Sequence, residues 1–151
     1  MATYTSLAHS PADILRRVMI AVGIGTAPEA VDAWPVYAAG EPDVPDNVLT
    51  VYDTAGVQDS RSMIGGELST HYGVQIRIRS KTHPVGWARA DLVRHSLARG
   101  IYQAQVTIDT VTYLVHAVVG IGTVIPLGKD GSNTKRSLFT LNAMVVIHTV
   151  T

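Results

Sequence analysis

The chain contains no cysteine. Disulfides, thiolate chemistry and Cys-ligated zinc are excluded with it. No run approaches the roughly 20 apolar residues needed to span a bilayer. The longest, Tyr113 to Val119, is interrupted by His116. Residues 1–6 lack the basic-then-apolar order of a signal peptide. The expectation is a soluble protein made in the cytoplasm. Net charge is also missing: twelve Lys and Arg balance twelve Asp and Glu. That balance disfavours broad charge-driven binding to nucleic acid or membrane. It also leaves little net repulsion to oppose self-association.

The usual signatures of catalysis are lacking. Asp53-Thr54-Ala55-Gly56 matches the Asp-x-x-Gly element that senses a γ-phosphate. That element needs a phosphate-cradling Gly-x-x-x-x-Gly-Lys-Ser/Thr loop upstream, and none exists. A strand end with turn residues explains the match. Gly23-Ile24-Gly25-Thr26 and Gly120-Ile121-Gly122-Thr123 do not complete Gly-x-Gly-x-x-Gly, because Pro28 and Ile125 stand at the third glycine's place. They read as a helix stop and a bend in a long strand. There is no Gly-x-Ser-x-Gly for a hydrolase nucleophile. The six histidines (His9, His71, His83, His95, His116, His148) show no helical metal-site spacing. His116 and His148 sit in apolar strands, where a hydrogen-bonded core or interface histidine is the plainer reading. Acidic residues concentrate in turns, at Glu41, Asp43, Asp46, Asp59 and Asp130. No catalytic, cofactor or metal residue is assigned.

What is present is a folding pattern. With 151 residues, 46% of them hydrophobic, the chain suits one domain with one core. No segment reads as an interdomain linker. Ser10-Pro11-Ala12-Asp13 starts a helix: Ser caps, Pro fits the first position, and Asp suits the dipole. Leu15, Val18, Met19 and Val22 follow at helical spacing, and Gly23 and Gly25 end it. Trp34 to Tyr37 is a short strand, then residues 40–47 form a turn, then Val48 to Tyr52 a strand that can pair with the first. Ala55 to Thr70 is polar and carries Gly65 and Gly66, which predicts a long loop at about 55–71. Tyr72 to Ser80 alternates strictly: Val74, Ile76 and Ile78 point one way, Gln75, Arg77 and Arg79 the other. Thr82-His83-Pro84 opens a second helix to about Ala98, closed by Gly100. Val85, Ala88, Ala90, Leu92, Val93 and Leu97 give it one broad apolar face. Arg89 falls inside that face, so it needs a partner or a snorkelling stem. Gln103 to Ile108 and Val111 to Val119 form a hairpin turning at Asp109-Thr110. An apolar strand, a polar loop over Gly128–Arg136 and a last strand from Leu138 to Val150 complete the chain. The order predicts an α+β fold: a mostly antiparallel sheet of about five to six strands, with two helices packed on one face.

One ordered set of segments resembles a known family. Pro45-Asp46-Asn47-Val48-Leu49-Thr50-Val51-Tyr52-Asp53-Thr54-Ala55-Gly56 is followed by Val74-Gln75-Ile76-Arg77-Ile78-Arg79, a helix, Leu127-Gly128-Lys129-Asp130 and Phe139-Thr140-Leu141-Asn142. Over roughly residues 8 to 150 this looks like the tail terminator and minor capsid proteins of long-tailed bacteriophages. Trp34-Pro35 and the length of the 55–70 segment depart from that pattern.

The resemblance implies a structural virion protein of the tail or neck, assembled in the host cytoplasm, and not an enzyme. It implies a homo-oligomeric, hexameric ring that caps the head-proximal end of the tail tube. Its partners would be itself, the tail tube protein and the head–tail connector proteins. DNA would meet it only in passing through the lumen, with no membrane and no cofactor. On this reading Gln75, Arg77 and Arg79, with Arg89 and Arg94, serve subunit contacts or line the lumen. The loops carrying Gly65 and Gly66, and Lys129, Asp130, Lys135 and Arg136, would meet the tube or the connector. A solvated strand face remains the plain alternative for Arg77 and Arg79. The rival functions are a head-completion or head–tail adaptor protein, a small enzyme with a spatially assembled His/Asp site, and a monomeric ligand-binding domain.

Overall fold

The computed structural model describes residues 6–28, 34–61, 68–130 and 133–150, with the backbone alone at 58–61, 68–70, 130 and 133–135. Two helices and seven strands follow the order α1 (Pro11–Ala21), β1 (Val36–Ala38), β2 (Val48–Arg61), β3 (Leu68–Ser80), α2 (His83–Gly100), β4 (Tyr102–Ile108), β5 (Val111–Val119), β6 (Ile125–Asp130) and β7 (Asn133–Val150). The strands make one sheet in the order β1-β2-β3-β7-β5-β4, with β6 also on β7. Only β1 and β2 are parallel. The fold is therefore α+β with a mostly antiparallel sheet, as the segment order predicts.

Two long hairpins build most of the sheet. The first is β2–β3, paired from Val48↔Arg79 out to Arg61↔Leu68. The second is less obvious. β5 pairs with β7 from Thr112↔Val150 to Val119↔Met144, Gly122 N–H donates to Asn142 O at 2.8 Å, and β6 resumes at Ile125↔Thr140. β5 and β6 are thus one interrupted strand along a single edge of β7. The second Gly-Ile-Gly-Thr stretch is the interruption, with Gly120 at φ +59°.

β3 and β7 join the hairpins, antiparallel from His71↔Val146 to Ser80↔Ser137. This register sends the far end of β2–β3 past the carboxyl-terminal half of β7. The far end of β6–β7 passes the other end of the sheet.

Two predicted loops are corrected here. Residues 55–61 and 68–70 are strand, and so are 128–130 and 133–136. Both segments are mostly polar in sequence, so they lack the hydrophobic alternation that marks a half-buried strand. Their extended form follows from continuing the ladder of the strands they prolong.

Strand alternation places Leu49, Val51, Val74, Ile76, Ile78, Tyr113, Val115, Phe139, Leu141, Val145 and Ile147 in one buried cluster. Ile14, Leu15, Val18 and Met19 of α1 and Ala90, Val93 and Leu97 of α2 join it. Each fully buried large aliphatic side chain contributes roughly 1.5–3 kcal/mol. α1 starts as predicted: Ser10 Oγ accepts from Asp13 N–H at 3.2 Å. A second acceptor comes from across the fold, because Ala12 N–H donates to Asp53 Oδ1 at 2.9 Å. That contact gives Asp53 a structural role in the Asp-Thr-Ala-Gly stretch. Gly23 stops the helix at φ +83°.

The apolar face of α2 is narrower than its sequence suggests. Gly86, Ala90, Val93 and Leu97 are buried, while Val85 and Leu92 are about half exposed, at 49% and 52%. Gly86 is the closest approach: an added Cβ would stand 2.5 Å from the Phe139 ring and 2.8 Å from Ser80 Cβ. Backbone contact at that point leaves no room for a wider apolar strip to reach the sheet.

Candidate interface

Three of the predicted arginines converge on one segment, the turn at residues 41–47. Arg79 is 3% exposed. Its Nη1 donates to Glu41 Oε1 at 2.9 Å, its Nη2 to the carbonyls of Pro45 at 2.6 Å and Asp43 at 3.2 Å, and its Nε to Asp46 O at 3.3 Å. Arg77 Nε lies 3.1 Å from Glu41 Oε2. The charges attract there, but the N–H is not aligned for a hydrogen bond. Arg136, from the second hairpin, donates through Nη1 to Asp43 O at 2.7 Å and reaches the Asp43 and Asp46 carboxylates at 3.4 and 3.7 Å. The turn is strapped across the sheet face opposite the core. Thr50 and Val48, which register opposite Arg77 and Arg79, are fully buried as a result.

Sequence reasoning does not pair the acids of the turn with these arginines, because turn formation alone accounts for them. The available signal was charge complementarity. A strand carrying two arginines on one face lies next to a segment rich in Glu and Asp. Tyr52 feels the same environment. Burial pushes its phenol above the ordinary value, Glu41 adds to the rise, and Arg77 opposes it.

The other predicted residues lie outside this clamp. Gln75 Nε2 donates to Asn142 Oδ1 across β3 and β7 at 3.4 Å. Arg94 pairs with Asp91 on its own helix at 3.8 Å. Arg89 places its guanidinium 5.1 Å from the centroid of the Trp34 ring. Burial lowers the Arg89 pKa, and the aromatic face offsets part of that desolvation. Trp34, which departs from the family pattern, is therefore the partner that Arg89 requires. Lys129 is exposed on β6, opposite Ser137. Asp130 ends β6 and Lys135 lies in β7. Gly65 and Gly66 lie outside the described residues.

The far part of β2–β3 has a different character. Register shifts between Thr54 and Val57, and again between Gln58 and Ser60, mark bulges. At the first, Gly56 and Gly73 bring two backbones too close for any side chain. A Cβ on Gly56 would run into His71 O, and one on Gly73 into Ala55 O. Residues 53–57 are exposed, and the β3–β7 register stops at His71. Beyond that point two strands pair with each other alone, leaving ladder groups available along both outer edges.

A family model described as bacteriophage tail terminator protein matches residues 18–147, from the last turn of α1 through α2 and into β7. The chain belongs to the tail terminator family. No curated protein matches it. Membership makes this terminator a structural protein of a phage tail and a virion component. Among its described residues no group of three or more His, Asp or Glu could hold a metal ion, and no helix is long and apolar enough to cross a membrane.

Proposed function

We propose that this terminator assembles into a ring that caps the head-proximal end of the tail tube, ends tube polymerisation and presents a joining surface to the head connector. Membership of the family over residues 18–147 carries the reading. The topology supports it in two ways. A cyclic ring needs two unlike patches per subunit. The sheet has two unlike edges: β1, only three residues long, and β4, paired on one side alone. A cap with neighbours above and below also needs two ends. The β2–β3 and β6–β7 hairpins leave opposite ends of the sheet, one toward the tube and the other toward the connector. On this reading Gln75, Arg77, Arg89 and Arg94 serve subunit contacts or line the lumen, and Lys129 meets the tube or the connector. Arg79 and Arg136 act from inside, by fixing the shape of the 41–47 turn. DNA passes through the lumen without a dedicated site.

Tube growth tests this directly. Purified terminator added to polymerising tail tube protein should fix tube length, and electron microscopy of the capped ends should reveal a six-membered ring. Tubes of unrestricted length, with the protein instead bound to the connector alone, would favour the head–tail adaptor role.

A further inference from the structure

We infer that His116 and His148 form a binding site for a divalent late transition-metal ion, with Zn²⁺ as the reference case. Neither residue takes part in the clamp or the hairpin ends. His116 Nε2 and His148 Nδ1 stand 2.6 Å apart, with ring centroids 4.6 Å apart and the ring planes at 79°. The pair is exposed. It arises from a local irregularity: Val115 pairs with Ile147 and Ala117 with Val146, so His116 is the extra residue of a bulge. Bulges re-aim side chains, and this one turns an imidazole released from the ladder onto the histidine of the neighbouring strand.

The two facing nitrogens suit a cation better than they suit each other. At this separation one proton lies between them, and the bond it makes competes with water, so its net value is only about 0.5–1.5 kcal/mol. A neutral imidazole carries its single proton on either nitrogen. When His116 is protonated on Nδ1 and His148 on Nε2, both facing lone pairs are free, and no proton need be lost. Zn–N bonds of about 2.0–2.1 Å at a tetrahedral angle place two ligand nitrogens roughly 3.3 Å apart. The pair must open by about 0.7 Å, a small rotation for two side chains on an exposed strand face. Water completes the coordination. Imidazole ligands without carboxylate or thiolate favour Zn²⁺, Ni²⁺ and Cu²⁺ over Mg²⁺ or Ca²⁺.

The test is calorimetric titration of the tag-free protein with ZnCl₂, repeated on His116→Gln, His148→Gln and the double variant. Ring-proton NMR of the wild type is recorded in parallel. One equivalent should bind the wild type. Each single variant should weaken that equivalent at least about tenfold, since loss of even an outer-shell partner costs roughly 10–100-fold. The double variant should be no worse than either single one. In the NMR spectrum the His116 and His148 resonances should move first. Binding left intact in both single variants would place the ion elsewhere, the His95–Asp91 pair at 3.5 Å on α2 being the next candidate, and would overturn the assignment. So would a wild type that takes up no Zn²⁺, or ring resonances that do not move.

Discussion

The two long hairpins of this terminator are built alike and finished differently. Each continues its ladder past the last pair of the β3–β7 seam, and each does so with polar sequence. The base of β6–β7 is tied down, because Arg136 reaches the 41–47 turn and Arg79 grips the same turn from beneath. The base of β2–β3 carries bulges and a glycine crossing. One extension is thus fixed by buried charge, and the other is shaped by backbone geometry. The proposed role, with a different neighbour at each end, would use both devices: a preorganised surface at one end and open strand edges at the other.

Breaking the charged side should have the largest effect on stability. Arg79→Met removes the donor to three carbonyls and to Glu41, and should destabilise the protein by about 3–5 kcal/mol in urea titration. A change under about 1 kcal/mol would mean that the turn is held by something else. On the other hairpin, Gly73→Ala drives a Cβ into the Ala55 carbonyl, where backbone cannot yield. It should cost about 1–3 kcal/mol on the same measurement. Asp53→Ala removes the tertiary acceptor at the start of α1 and should cost about 1 kcal/mol, with Asp53→Asn recovering most of it. The smallest effect on stability belongs to the far ribbon itself. Joining Val57 to His71 through Asn-Gly, in place of residues 58–70, should shift the melting free energy by less than about 1 kcal/mol, because past His71 the ribbon strands pair with each other and with no other described strand. Tail joining should nonetheless be lost, measured as phage titre in a complementation assay. Normal titre would remove this hairpin from any docking role.

Much of this architecture is legible in the sequence where the signal is local. The α1 cap at Ser10, the alternation of Val74, Ile76 and Ile78, and the turn at Asp109, with φ +53°, all follow from neighbours in the chain. The ribbon extensions are not legible, because their mostly polar sequence carries no periodic apolar signal. Arg79 shows a deeper limit. Alternation assigns it to the face away from the core, but only tertiary structure reveals that a turn more than thirty residues upstream covers that face. The same holds for α2, where Val85 and Leu92 have the right spacing yet stay exposed, because Gly86 brings the helix axis close at one narrow line.

β7 has a consequence for biosynthesis. It follows β1 to β6 in sequence and stands between β3 and β5. Until it leaves the ribosome, the nascent chain holds only β1–β2–β3 on one side and β4–β5 on the other, with no seam between them. Synthesis at roughly 5–20 residues per second delivers that seam last. Unfinished chains therefore lack a joined sheet, and the two halves meet only once translation has passed through β7.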